Sequence, residues 1–437
     1  MTKTRLTATI LSVLAQGLGQ MYNRQWRKGI AFLLVEALGI FYLAPRLADA
    51  VWGIVTLGEK TQKFVKQGGS TQLVKGDHSI FLMLDGLLVL FVLFVFLVLY
   101  VVNIYDAYQT AKVFDESNGN RDIVKLKRGT ADRYFPQLLL FFPSLGVLFF
   151  TIMPIIFTIM LAFTNYSAPD HIPPAKLVDW VGFKTFTDLL QLKTWSHTFI
   201  GVLTWTLIWA VLATVTTYFG GVLVALLIEQ QGIRFKKLWR TIFILPYAIP
   251  QIISLLLMRN LFNGQFGPIN QYFRAFGLDG LPWLTDPFWA KVTVIVVNMW
   301  LGIPVTMVLI LGVLTSIPRD LYEAAEVDGA TVLQKFRIIT LPFILFATAP
   351  VLIMQFAGNI NNFNVIFLLT NGNPIKGDYQ FAGATDLLVT WLYKLTLDNS
   401  KYNMASAIGI IIFLLVASFS IWNFRRSRSY KEEDMIQ

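Results

Sequence analysis

Eight stretches of the chain are apolar for long enough to cross a bilayer, which takes about 20 mostly apolar residues for about 30 Å of hydrocarbon. They cover roughly residues 29–44, 80–105, 137–164, 197–228, 241–263, 289–314, 341–369 and 402–423. The first is short, carries Glu36, and follows another apolar run at 6–22 that suits a hairpin or an interfacial segment. Lys3 and Arg5 ahead of Val13-Leu14-Ala15 imitate a signal peptide. The apolar core is barely long enough and spans follow throughout, so a retained N-terminus is expected. Residues 106–136 are charged and mixed, as in a linker. Residues 165–196 hold Pro169, Pro173 and Pro174, and 370–400 opens with the turn-forming Asn371-Gly372-Asn373-Pro374. No tandem repeat of 20–50 residues stands out. The pattern predicts an all-α, polytopic membrane protein: membrane segments and a linker over 1–130, and a six-span core over 131–437.

Composition agrees. Of 437 residues 55% are hydrophobic and 14% charged, against about 25% charged in ordinary soluble domains, which excludes a soluble enzyme. There is no cysteine, so disulfides, zinc–thiolate sites and iron–sulfur clusters are out. His78, His171 and His197 stand singly and offer no metal centre. The net charge of +10 is explained by where it sits. With the N-terminus in the cytoplasm and eight crossings, segments 1–28, 106–136, 229–240, 315–340 and 424–437 are cytoplasmic. They hold 22 of the 36 Lys and Arg, as the positive-inside rule expects. The densest groups are Arg234, Lys236, Lys237, Arg240 and Arg425, Arg426, Arg428, Lys431. The loop 45–79 disagrees, since an external segment carries Arg46, Lys60, Lys63, Lys66 and Lys75. The basic excess otherwise reads as orientation, and nucleic acid is not an expected partner.

The cytoplasmic segment 315–342 spells two short helices joined by a bend. Ser316 is a candidate N-cap, with Pro318 near the first turn and Asp320 and Glu323 at the positive helix end. The first helix should stop at Asp328-Gly329, where glycine accepts positive φ. Thr331 and Gln334 imitate a capping box that starts the second, and Pro342 opens the next span. Ala324 and Ala325 would let another surface approach closely, although an ordinary interfacial connector fits the same residues.

Two later spans carry polar or irregular backbone. Gln355-Phe-Ala-Gly-Asn359-Ile-Asn361-Asn362-Phe-Asn364 puts four asparagines into an apolar stretch, where an unpaired amide costs several kcal/mol. At about 100° per residue they cannot share one face, so some must meet protein, water or ligand. Inter-helix hydrogen bonding accounts for one or two. In Trp300-Leu301-Gly302-Ile303-Pro304, proline removes a helical donor. Both features lie about ten residues, roughly 15 Å, from the external ends of their spans, which favours a shared mid-membrane cavity. Amides and an aromatic ring without a charge suit a neutral polyhydroxylated ligand.

Glu323-Ala324-Ala325, then Gly329, then Ile339-x-Leu341-Pro342, resembles the EAA signature of ABC importer permeases. The resemblance implies that Glu323, Ala324, Ala325, Asp328 and Gly329 dock this loop onto a separate ATPase subunit and transmit its closure. No Gly-x4-Gly-Lys-Ser/Thr is present, so no phosphate-binding loop is expected here; ATP and Mg would belong to the partner, and this chain would bind no cofactor.

From about 197 to 423 the chain is similar to the larger membrane subunit of maltose/maltodextrin importers. The likeness rests on Ile244-Leu-Pro-Tyr-Ala-Ile-Pro250, Leu261-Phe-Asn-Gly-Gln-Phe-Gly267, Asn298-Met-Trp-Leu-Gly302, Asn359-Ile-Asn-Asn-Phe363 and Leu369-Thr-Asn-Gly372. By that resemblance Trp300, Leu301, Gly302, Gln355, Asn359 and Asn362 contact sugar, and Val305, Gly358 and Asn364 line the same region. The chain departs from the family pattern at Gly358 for an aromatic, Val305 for a tyrosine and Asn364 for an aliphatic residue, implying a wider, less aromatic pocket. The large domain some relatives insert in 165–196 is missing. Gly17-Leu-Gly-Gln-Met-Tyr22 with Lys28-Gly29 resembles an N-terminal hairpin of other bacterial permeases. The implied partners are a second homologous permease, a dimeric cytoplasmic ATPase, an extracellular or periplasmic sugar-binding protein and lipid, in the bacterial cytoplasmic membrane with both termini inside. Glu36 and Asp85 are assigned no transport role, and His171 and His197 are expected to face solvent. An ion-coupled transporter would want mid-span carboxylates and inverted repeats, and a membrane hydrolase a catalytic cluster; neither pattern is clear.

Overall fold

The structure, a computed structural model, describes residues 3–67, 70–116, 131–230 and 232–426. Six helices are long and apolar enough to cross a membrane, or eight when each of two bent pairs counts as one span. The eight expected stretches correspond to these. Contacts divide the chain into units 1–182 and 183–437, whereas the sequence pattern divides it at 130, beside residues 117–130 that lie outside the described ones.

The first unit contains α1 (Lys3–Leu14), α2 (Leu18–Tyr22), α3 (Trp26–Leu43), α4 (Leu47–Thr56), α5 (Ser79–Glu116), α6 (Ala131–Val147) and α7 (Met153–Ala162). The expected first span is the pair α3–α4, bent by 46° where Pro45 interrupts the backbone donors. The expected 45–79 loop is therefore partly helix. It also holds a departure from an all-α fold, a hairpin pairing β1 (Lys63–Gln67) with β2 (Ser70–Val74). Arg46 sits at the bend and Lys63 and Lys66 in the hairpin, so this part of the basic excess belongs to formed structure. The first part of the expected linker, 106–116, is the end of α5.

Polar groups bind α1–α3 to α5. Asn103 accepts from the Gly17 N–H (3.0 Å) and donates to the Ser12 carbonyl (3.2 Å). Gln20 donates to the Asn103 carbonyl (2.8 Å). Glu36 accepts from the Gln16 N–H (2.9 Å), a structural duty that accounts for a carboxylate in an apolar stretch. Asp85 is exposed.

The second unit contains α8 (Lys184–Gln191), α9 (Lys193–Glu229), α10 (Lys236–Ala248), α11 (Gln251–Leu261), α12 (Pro268–Ala275), α13 (Pro287–Ser316), α14 (Arg319–Val327), α15 (Val332–Lys335), α16 (Leu341–Ile360), α17 (Phe363–Leu369), α18 (Leu388–Tyr393) and α19 (Tyr402–Arg426). The 37-residue α9 is the central post and packs on α13 and α16. Its buried Trp209, Ala213 and Tyr218 anchor two of the apolar clusters.

Two expected spans are broken. Residues 241–263 form α10 and α11, turned by 92°. Ile249, forced toward extended backbone by the following Pro250, takes φ −89° and ψ 130°. Residues 341–369 break between α16 and α17 at Asn361-Asn362. Prolines also explain two π turns. Leu148–Ile152 precedes Pro154 and Phe336–Thr340 precedes Pro342, and the wider turn relieves the clash of each ring with the carbonyl four residues back.

The 370–401 segment is pinned rather than loose. Buried Asp386 accepts from the Gly383 N–H (2.7 Å), Thr390 Oγ1 (2.8 Å) and Lys394 Nζ (2.7 Å). Burial pushes its carboxyl above the ordinary value, against the pull of Lys394. Trp205 Nε1 donates to the Thr385 carbonyl (3.2 Å), and Leu388 N–H to Thr206 Oγ1 (3.0 Å), which fasten the segment to α9.

Candidate functional site

The residues singled out in the sequence gather in two places within the second unit. The first is a cavity of about 500 Å³ walled by α9, α11, α13 and α16. On α13, Asn298, Leu301, Gly302, Val305, Thr306 and Leu309 line it, spaced by three and four so that they share one helix face. Val351, Met354, Gln355 and Asn359 form the matching stripe on α16.

The polar wall is largely bonded within the protein. Asn359 Nδ2 donates to Thr214 Oγ1 (3.0 Å), Gln355 Nε2 to Thr217 Oγ1 (2.7 Å), and Trp209 Nε1 to the Asn359 carbonyl (3.1 Å). Tyr218 and Thr348 hydroxyls meet at 2.7 Å. Buried amides need such partners, and here α9 supplies them. Gly302 is dictated by packing: a Cβ there would lie 2.6 Å from Thr217 Cγ2, so only glycine lets α9 and α13 approach this closely. Pro304 cannot donate to the Trp300 carbonyl, yet α13 stays continuous over its 30 residues.

Of the nine residues expected to meet sugar, Leu301, Gly302, Val305, Gln355 and Asn359 line this cavity. Trp300 does not. At about 100° per residue it lies roughly 200° from both Asn298 and Gly302, and it is 46% exposed on the opposite side of α13. Gly358 follows the α16 stripe, but a Cβ there would find nothing within 4 Å; this side of the cavity is open.

The asparagines divide their tasks. Asn361 is exposed and ends α16. Asn362 caps α17, accepting from the Val365 N–H (3.4 Å), and donates to Asn359 Oδ1 (3.3 Å). Exposed Asn364 reaches Gln251 Oε1 (3.4 Å). Thr217 and Tyr218 carry no signal in the sequence, because nothing in the apolar run of α9 marks the side that meets α13, and Gln251 carries none because the turn that starts α11 is not registered by hydropathy. Asn298 was legible through its spacing to Leu301 and Gly302.

The second place is the 317–342 segment, past the C-terminal end of α13. Glu323 and Ala324 are exposed and Ala325 half-buried on α14. Asp328 ends the helix and Gly329 follows with φ +70°, as the sequence predicts. The Thr331–Gln334 capping box is present. Two expectations are corrected. Ser316 is the last residue of α13, its hydroxyl donating to the Val313 carbonyl (2.7 Å), and Pro318 occupies the N-cap. The second short helix does not end before Pro342 but runs through the π turn into α16, a span of Val332–Ile360.

Lys335 pairs with Glu326 (2.8 Å), and Tyr322 hydroxyl meets Thr340 Oγ1 (2.8 Å), bracing α14 on the foot of that span. The apolar tips point outward: Val327 is 88% and Val332 79% exposed. Among the described residues no three His, Cys, Asp or Glu side chains converge as a metal site.

Residues 217–429 match the family described as binding-protein-dependent transport system inner membrane component. The chain is 41% identical to the galactooligosaccharides transport system permease protein GanP of Bacillus subtilis (strain 168), over 98% of this chain and 99% of that one. It is 37% identical to the maltodextrin transport system permease protein MdxF of the same organism, over 100% and 99%. Among solved structures it is similar to a bacterial ABC transporter involved in the import of the acidic polysaccharide alginate. That match has 26% identity and a TM-score of 0.58, over 70% of this chain and 99% of that one. A multi-helix bundle with an exposed helical loop at one end and a polar cavity halfway along thus has its relatives: the chain belongs to the inner membrane permease components of binding-protein-dependent ABC transport systems.

Proposed function

We propose that this permease conducts neutral oligosaccharides, with maltodextrins as the expected cargo, in an ATP-driven importer. The observation that carries this reading is the wall of the mid-helix cavity. It presents amides, hydroxyls and apolar side chains, and no carboxylate or ammonium group, a lining suited to hydroxyls and ring C–H faces. The open side at Gly358, with Val305 at the rim, would be completed by a second, homologous permease, against which Trp300 would face. Asn362 and Asn364 hold Asn359 and Gln251 in place, so both act on the sugar through their neighbours.

The basic residues at those ends support a cytoplasmic placement of α14 and both termini. There α14 would seat in an ATPase subunit, with Glu323, Ala324, Ala325, Asp328 and Gly329 at the contact. ATP and Mg would bind that partner, and ATPase closure would draw two such helices together. A periplasmic or extracellular binding protein would deliver sugar to the opposite end. The chain itself would perform no covalent chemistry.

The 41% identity to a galactooligosaccharide permease favours a second reading, galactosyl oligosaccharides through the same path. Uptake by the reconstituted complex across α-glucosyl and β-galactosyl series tests both. ATP-dependent uptake of maltotriose and longer α-glucans is expected; transport that persists without ATP and collapses with an ion gradient would sink the importer reading.

A further inference from the structure

The second unit holds a further cavity, larger than the mid-helix one. It encloses about 810 Å³ between α11, α17 and the 370–375 turn, at the Pro287 end of α13. That helix has 30 residues, about 45 Å at 1.5 Å per residue, so this cavity lies far from α14. We infer that it is a second saccharide subsite, which holds the following rings of an oligosaccharide whose leading rings occupy the mid-helix cavity. The inference rests on the oligosaccharide reading above.

Asn263 and Thr370 on its wall are bonded within the protein, but four further polar side chains are uncommitted, unlike most of those in the mid-helix cavity. The side chains of Arg259, Asn260, Thr285 and Asn373 line it. Among the described residues none of the four makes a side-chain hydrogen bond or ion pair. Together they offer guanidinium, amide and hydroxyl donors with amide and hydroxyl acceptors. No carboxylate lines the cavity. Leu256 and Ile375 supply apolar surface beside them, and Ile375 is 83% exposed. Free donors and acceptors next to apolar patches match the two faces of a pyranose ring, hydroxyl rim and C–H plane.

The two cavities are connected by one rigid element. Gln251 lines the mid-helix cavity and Arg259 the second, and both belong to α11. Eight residues of helix separate them by about 12 Å. Asn364, at the start of α17, bonds Gln251 at 3.4 Å, while Leu369, at its end, lines the second cavity. Two packed helices thus carry residues of both cavities. Only a chain of several rings engages both sites.

The test is uptake by the full reconstituted complex, wild type against Arg259→Ala/Asn260→Ala and, separately, Thr285→Ala/Asn373→Ala. The probes are maltose with maltohexaose and galactobiose with galactotetraose, in whichever series the wild type transports. The expected result is at least a tenfold rise in KM for the long member, equivalent to about 1.4 kcal/mol, with disaccharide uptake unchanged. Retained disaccharide uptake also shows that each variant is folded and assembled. Equal effects on both lengths, or no effect on either, overturn the subsite. A wild-type complex that imports no member of either series overturns the oligosaccharide reading, and this inference with it.

Discussion

The mid-helix cavity and the α14 segment treat polar and apolar atoms in opposite ways. In the cavity, amides in an apolar bundle are bonded by neighbouring threonines: Asn359 by Thr214 and Gln355 by Thr217. Around α14, Val327 and Val332 stand in the open, while the polar groups Glu326–Lys335 and Tyr322–Thr340 brace the segment from within. In the first region most amides are bonded before any ligand arrives, so a ligand has to compete for, or add to, existing bonds. The second leaves apolar side chains exposed.

The comparison is open to attack at each end. The largest effect is expected from Asn359→Leu with Asn362→Leu. It removes the bond to Thr214 and the α17 cap, so sugar binding to the purified complex should be lost. Stability should fall by about 1–3 kcal/mol, because Thr214 loses a buried partner. Retained affinity in an isothermal titration would remove both residues from the site. A smaller effect is expected from Gly329→Val. Its φ of +70° costs an L-residue roughly 1–2 kcal/mol, which distorts the exit from α14. ATP-driven uptake should drop about tenfold with membrane insertion intact, and unchanged uptake would detach the bend from coupling.

The smallest effect concerns pH. Asp378 accepts from His197 Nε2 at 2.8 Å on the exposed side of the 370–401 segment. That bond, its largest influence, holds the carboxyl below the ordinary 3.8. The folded state therefore favours the charged form. Its contribution is present above the ordinary value and is lost as pH falls through the lowered one. Amide exchange of residues 376–380 should quicken slightly in that acid range in the wild type, and Asp378→Asn should flatten the response. A wild-type profile that does not change there contradicts the tether.

Much of this was readable in residue order. The eight apolar stretches, the bend at Gly329 and the Thr331–Gln334 capping box depend on local chemistry, and each is present. The 92° turn between α10 and α11 was legible in Pro250 but was read as a continuous span, since hydropathy does not register backbone donors. The hairpin at 63–74 was hidden in a segment read as a basic loop. The asparagine cluster announced that amides needed partners without saying which. Partners came from Thr214 and Thr217, on a helix about 140 residues away in sequence, where threonines in an apolar run carry no mark of their destination.

What the sequence determined by itself is the membrane as solvent, the helical spans, the basic ends and the helix–bend–helix of the 317–342 segment, because length, hydropathy and turn chemistry act over a few residues. What only the tertiary structure decided is which faces meet. It turned Trp300 away from the cavity, gave Gly302 to the approach of Thr217, and split the four asparagines among cap, helix end, cavity wall and bridge. Those outcomes depend on close packing between distant helices, where a few tenths of an ångström separate contact from clash.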